Sequence, residues 1–216
     1  MSGSSSPSSS YLRTTADAYD ALAERYADFV RDGLAHLPLD RSLVTAFADL
    51  VRESGSGQVA DLGCGPGYLT AALAEHGLDA SGIDLSPALI AIARRRYPRL
   101  RFRTGSMDAL AVGDGGLGGV VSWYSLIHTP PEQLPSYLAE FRRVLAPGGY
   151  ALLGFFESEG DPVTPFDHKV TTAYRWPVDH LAHLAREAGL TENARLLREP
   201  GEGERFRHGR LLLRAV

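Results

Sequence analysis

The sequence has one cysteine, one lysine, two methionines and two tryptophans among 216 residues. The single thiol, Cys64, excludes an intrachain disulfide framework and any cysteine-based zinc cluster. No apolar stretch approaches the ~20 residues that span a bilayer; Tyr150–Phe156 is among the longest. Residues 1–10 contain seven serines but neither a basic nor an apolar region, so they do not read as a signal peptide. Residues 1–14 are expected to be a disordered tail. Positive charge is not in excess either: 26 acidic side chains face 22 basic ones, for a net charge of −4. That balance argues against nucleic acid as a partner. The densest basic run, Arg94, Arg95, Arg96, Arg99, Arg101 and Arg103, follows the apolar stretch Ala88–Ala93. There it reads as cations in the last turn of a helix and just beyond it, offsetting the negative end of the helix dipole. The expectation is a cytoplasmic protein without membrane association.

What is present is ample for a core. Hydrophobic residues make up 44% of the chain, and a domain of this length buries roughly 70% of its unfolded surface. Residues 15–35 carry Tyr19, Leu22, Ala23, Tyr26, Phe29 and Val30 at the spacing of an amphipathic helix. A second helix is expected after Asp40 as its N-cap, ending near Ser54–Gly57. Strands and helices then alternate. Strands are expected at Gln58–Leu62, Asp79–Asp84, Leu100–Arg103, Gly118–Trp123 and Tyr150–Phe156. Helices are expected at Tyr68–Glu75, at Pro87–Tyr97 capped by Ser86, and at Glu132–Leu145. Such alternation implies a parallel sheet with helices on both faces. After a helix over Val178–Ala188, Leu190–Glu199 and Phe206–Val216 flank turn residues and read as an antiparallel hairpin at the sheet edge. Residues 157–177, rich in Gly, Pro and aromatics, are too long for a connector and read as a lid.

The stretch Asp61-Leu62-Gly63-Cys64-Gly65-Pro66-Gly67 runs from a strand through a glycine turn into a helix. Glycines admit positive φ and let a ligand lie against bare backbone. A dinucleotide fold wants a small residue at the sixth position of its glycine motif, where this chain has Tyr68. The spacing G-x-G-x-G after Asp61 instead resembles the first motif of class I S-adenosylmethionine-dependent methyltransferases. Further segments match in order: Gly82-Ile83-Asp84-Leu85-Ser86, Gly105-Ser106-Met107-Asp108 and Arg143–Gly149. Gly118-Gly119 departs from the pattern, which often has an acid before the fourth strand.

The resemblance implies a Rossmann-like fold in a single domain, residues 15–216. It has a seven-stranded, mostly parallel sheet with an antiparallel last strand, an N-terminal helical cap (15–55) and the lid. It also implies that S-adenosylmethionine is the cofactor and S-adenosylhomocysteine the product. The implied cofactor residues are Asp61, Gly63, Cys64, Gly65, Gly67, Asp84 for the ribose, Leu85, Met107 and Asp108 for the adenine, and Trp123. Tyr19 and Tyr26, seven apart on one helical face, are expected near the methionine end.

The acceptor is expected to be a small molecule, met by Tyr124, His128, Phe166, His168, Tyr174 and Trp176, with methyl transfer to oxygen or nitrogen mainly by orientation. His128 is the candidate base. No metal is expected, because His180 and His183 lie opposite the apolar face Leu181, Leu184, Ala185 and Ala188. The expected state is a monomer or homodimer. A non-methylating sensor or cyclase on the same fold, and an NAD(P)-dependent oxidoreductase, stand as alternatives.

Overall fold

The computed structural model describes residues 7–160 and 162–216. The elements in chain order are α1 (Pro7–Phe29), α2 (Pro38–Glu53), β1 (Gln58–Leu62), α3 (Tyr68–Glu75), β2 (Asp79–Asp84), α4 (Pro87–Arg96), β3 (Arg101–Thr104) and β4 (Leu117–Trp123). They continue with α5 (Leu134–Val144), β5 (Leu145–Phe156), β6 (Thr164–Asp167), β7 (Thr172–Arg175), α6 (Val178–Glu187), β8 (Leu190–Arg198) and β9 (His208–Ala215). Seven strands form one sheet in the order β3-β2-β1-β4-β5-β9-β8. All neighbours up to β5 are parallel, and β9 runs antiparallel to both β5 and β8.

Both faces of the central strands β1, β4 and β5 are buried, which is why they read as nearly continuous apolar runs rather than alternating ones. Val59, Val121, Leu152 and Leu212 face α2 and α3, packing with Phe47, Val51, Leu69 and Leu73. Their neighbours Ala60, Val120, Leu153 and Leu211 face α5 and α6, packing with Leu138, Phe141, Leu181 and Ala185. Ser86 caps α4 by accepting the Leu89 N–H at 3.0 Å, with Pro87 at the first helical position. The arginine run ties down its surroundings. Arg94 donates to the Phe102 carbonyl, Arg95 pairs with Glu24, Arg96 donates to the Ala27 carbonyl and Arg101 pairs with Asp79.

Several boundaries differ from expectation. Helix α1 starts at Pro7, inside the expected tail; residues 1–6 of that tail lie outside the described residues. Proline suits a first turn, and Tyr11 is held there by a hydroxyl–hydroxyl contact with Tyr137. Helix α2 starts at Pro38, so Asp40 is not its N-cap. Asp40 lies in the first turn, fully buried, and pairs with Arg210 of β9. The turn Pro147-Gly148-Gly149 does not precede β5. It is a bulge inside that strand, which already pairs through Leu145 with Leu117 before Tyr150 meets Gly119. The lid segment contains the antiparallel pair β6 and β7, unannounced by the sequence.

The paired glycines near the start of β4 have a steric reason. A Cβ on Gly118 would come within 1.9 Å of the Ser56 carbonyl oxygen, and one on Gly119 within 2.8 Å of the Phe47 ring. An acidic side chain has no room at either place. No helix among the described residues is long and apolar enough to cross a membrane.

Candidate active site

The chain runs outward from β1 to β3, then returns to β4 on the other side of β1. Open parallel sheets bind ligands at that reversal, beyond the carboxyl ends of the strands. A cleft of about 550 Å³, open to solvent, lies there. Its wall comes from every adjacent strand end: Gly63 and Gly65 after β1, Asp84, Leu85 and Ser86 after β2, Gly105 and Met107 after β3, and Trp123, Tyr124, Ser125 and His128 after β4. Helix α1 roofs it with Thr15, Ala16, Tyr19 and Tyr26.

The three glycines of the turn do different work. All have positive φ, at 73° for Gly63, 53° for Gly65 and 88° for Gly67. A Cβ on Gly63 would fall 2.2 Å from Ser125 Cβ, and one on Gly67 2.8 Å from the Phe102 ring, so both serve packing. On Gly65 a Cβ would meet only Tyr26, at 3.5 Å. Gly65 is the one that leaves backbone bare toward the cleft.

Asp84 closes the turn. One carboxylate oxygen accepts the Gly65 N–H at 2.8 Å and the other accepts the Ser86 N–H at 2.8 Å. Each oxygen keeps a further lone pair for a ligand hydroxyl. Burial pushes the Asp84 pKa up, against the pull of these two bonds. Asp61 is different. It is buried behind the turn, accepts the Thr70 hydroxyl at 2.6 Å, and burial pushes its pKa up to about 7. It does not line the cleft, and its part is to join β1 to α3.

His128 is held from both sides. Its Nδ1 is 2.9 Å from the Thr172 carbonyl of β7, which only accepts, so Nδ1 carries the proton. Its Nε2 then accepts from the Tyr19 hydroxyl of α1 at 2.9 Å. Burial lowers the ring's pKa to about 4, so it is neutral at pH 7. A histidine whose one lone pair is taken and whose basicity is depressed is a poor proton acceptor and a good strut. It links roof helix, strand end and lid.

Among the residues expected from sequence, the cleft brings together Tyr19, Tyr26, Gly63, Gly65, Asp84, Leu85, Met107, Trp123, Tyr124 and His128. Others lie elsewhere. Cys64 turns its buried thiol toward Ile90, Ala93 and Phe102, and burial raises its pKa. Gly67 sits under Phe102 and Ala93. Asp108 stays half-buried on the turn after β3, outside the lining. Phe166 and His168 join an aromatic cluster with Phe156 and Phe206, and the His168 ring stands 5.1 Å from that of His128. Tyr174 packs against the core. Trp176, 2% exposed, is a core residue, drawn inward by backbone bonding to Phe156 and Ser158.

Missed by sequence reading were Thr15, Ala16, Ser86, Leu89, Gly105 and Ser125 of the lining. Asp20 was missed too; it accepts from the Ser86 hydroxyl and from the Ala88 N–H at 3.1 Å, tying α1 to the start of α4. The adjacency of Asp20 to Tyr19 was the available signal.

A glycine turn, an acid at the next strand end and a crevice at the reversal are the features with which doubly wound folds hold nucleoside-type ligands. Residues 59–149 match the model of a methyltransferase domain. The chain is 32% identical over 152 residues to a demethylmenaquinone methyltransferase of Beutenbergia cavernae, covering 70% of this chain and 61% of that protein. It is 30% identical to a ubiquinone biosynthesis O-methyltransferase of Xanthomonas campestris, covering 68% of this chain and 63% of that one. The fold matches that of the 1,6-didemethyltoxoflavin-N1-methyltransferase of Burkholderia thailandensis, solved with 1,6-didemethyltoxoflavin and S-adenosylhomocysteine bound. That match has a TM-score of 0.78 at 23% identity over 100% of this chain and 93% of the other. Residues 59–149 are thus a methyltransferase domain, on the fold of solved S-adenosylmethionine-dependent methyltransferases. The chain spans 61–66% of the length of the first curated relatives it matches.

Proposed function

We propose that the protein binds S-adenosylmethionine in the cleft and transfers its methyl group to an oxygen or nitrogen of a small-molecule acceptor. The observation that carries this reading is the convergence of Asp84, the bare backbone of Gly65, Met107 and two aromatic residues on one cleft beneath α1. The residues fit the cofactor. Asp84 offers charged acceptors for the ribose hydroxyls, Leu85 and Met107 an apolar wall for the adenine, and Gly65 an approach for the methionine end. The bound sulfonium supplies an electrophilic methyl with its leaving group in place.

The chain's own residues then bind, orient and exclude water. Tyr19 and Tyr26 close the roof, and Tyr124 stands at the cleft wall. His128 fixes Tyr19 rather than abstracting a proton, which favours orientation over base catalysis. A small acceptor suits the cleft, and four of the six arginines of the densest run, Arg94, Arg95, Arg96 and Arg101, are engaged with carbonyls and carboxylates of this chain. The relatives' names point the same way: demethylmenaquinone, ubiquinone and toxoflavin chemistry all concern small molecules.

Calorimetry with S-adenosylmethionine, S-adenosylhomocysteine and NADH tests the cofactor. The expected result is binding of the first two with NADH far weaker; comparable NADH affinity would overturn the assignment. Release of S-adenosylhomocysteine with phenol and amine acceptors tests turnover.

A further inference from the structure

The most deeply buried charges among the described residues lie just behind the cleft. Asp40, in the first turn of α2, and Arg210, on β9, are each 0% exposed. The guanidinium grips the carboxylate with two prongs, Nε to Oδ1 at 3.0 Å and Nη2 to Oδ2 at 3.1 Å. Its Nη1 donates to the Gly209 carbonyl at 2.8 Å. Its Nη2 also donates to the Tyr124 hydroxyl at 2.7 Å. The guanidinium carbon lies 4.3 Å from the centroid of the Trp123 ring and 4.8 Å from that of Tyr124.

A buried ion pair gives little or no net stability over apolar residues of the same volume. This one has a directional consequence. Tyr124 has φ of 56°, a left-handed conformation that a bulky residue adopts only where its surroundings dictate it. The surroundings do so at both ends. Its N–H donates to the Gly154 carbonyl at 2.8 Å, and its hydroxyl is shared between Arg210 and Nδ1 of His208. With its hydroxyl committed behind the wall and its ring packed against Phe156, Tyr124 still lines the cleft. Trp123 stands edge-to-face beside it, over the same guanidinium.

We propose that Arg210, braced by Asp40, is a positioning residue that clamps the Tyr124 hydroxyl and underlies both rings, so that Trp123 and Tyr124 form a fixed aromatic wall of the cleft. An arginine does this where lysine would not. Its planar fork serves the carboxylate and the phenol at once while its face stacks on the indole.

The test is a mutant cycle that leaves no buried charge unpaired. Tyr124→Phe removes only the hydroxyl, Asp40→Leu with Arg210→Met removes the pair, and the triple variant removes both. S-adenosylhomocysteine affinity is read by calorimetry and folding by thermal melting. Tyr124→Phe and the pair variant should each weaken binding by threefold or more while staying folded, and the triple should be no weaker than the pair variant. Losses that multiply in the triple, or wild-type affinity in the pair variant, would overturn the proposal. If the pair variant does not fold, Arg210→Lys, which keeps the charge but not the fork, takes its place in the same cycle.

The choice of probe rests on the proposed cofactor, so a second readout needs no ligand. In a Trp176→Phe background Trp123 is the one remaining indole. Its acrylamide quenching should at least double when the pair, or the fork, is removed. Unchanged quenching counts against the clamp, whereas failure of wild type to bind S-adenosylhomocysteine counts only against the proposed function.

Discussion

Replacing Asp84 separates what the carboxylate does for the fold from what it does for a ligand. In the free protein its two oxygens accept the Gly65 and Ser86 N–H groups, both at 2.8 Å. Asp84→Ala leaves both donors without a partner at a half-buried site. At about 1–2 kcal/mol for each stranded group, stability should fall by about 2–4 kcal/mol. For a chain of this size that lowers Tm by roughly 5–12 °C. Asp84→Asn keeps one acceptor oxygen and turns an amide donor toward the other N–H, so its melting loss should be smaller or similar. The ligand sees something else. Both substitutions remove the charged acceptor for the ribose hydroxyls, which should cost about 1.5–3 kcal/mol, or roughly 10–150-fold in Kd. The assay is calorimetry with S-adenosylhomocysteine beside differential scanning calorimetry of the free proteins. The raised pKa adds a sign. On acidification the carboxyl takes up its proton above pH 3.8, the ordinary value, and wild-type affinity should begin to fall there while that of Asp84→Asn stays flat. Wild-type affinity in either folded variant would refute the ribose role. Unchanged melting in Asp84→Ala would refute the account of the turn.

The glycines should respond differently: Gly63→Ala meets Ser125 at 2.2 Å and should unfold or melt far lower, whereas Gly65→Ala should fold and lose S-adenosylhomocysteine binding, as circular dichroism and calorimetry would show. His128→Ala should reduce kcat tenfold or less with an acceptor that supports turnover; a loss of more than 100-fold, with the acid limb of the pH–rate profile gone, would establish base catalysis. Asp61 should oppose stability at higher pH. Its native pKa of about 7 stands above the ordinary 3.8, so the native state holds more protons between those values and this contribution is lost as pH rises through 7. Asp61→Asn should therefore gain on wild type by about 2 kcal/mol between pH 5 and pH 8 in urea melts; a constant difference would refute the burial argument.

The central strands and helices were legible because each is short, apolar and bounded by turn residues. Gln58–Leu62, Tyr68–Glu75 and Asp79–Asp84 stand where the pattern put them, and Ser86 caps α4 as its spacing implied. Local pattern failed where distant partners decide. Asp40 has the composition of a cap, but Arg210, 170 residues later, makes it a buried ion-pair partner. The first turns of α1 meet Tyr137 through Tyr11, and β7 meets the loop after β4 through His128. Within the site, strand-end residues were found because backbone topology places them. Asp61, Cys64 and Gly67 share the motif but face inward, a distinction set by the side to which each points. Trp176 looked like an aromatic wall and is core, since composition does not say which side of a lid is up.

Helix α1 rests on the body through a small apolar seam, Tyr19, Ala23, Tyr26 and Ala27 against Leu89 and Ile92 of α4, and through polar contacts: Tyr19 on His128, Asp20 on Ser86, Glu24 on Arg95, and the Ala27 carbonyl on Arg96. The consequence concerns traffic rather than affinity. A guest in the cleft has this helix along one side, so lifting of the helix would widen its way out. The polar ties can be exchanged for water at small cost, and the apolar seam joins α1 to one helix rather than to the sheet, so the roof can open as a local event while the sheet beneath keeps its register. Opening is then a property of helix α1 and its seam with α4, whereas the strand ends supply the fixed wall of the cleft.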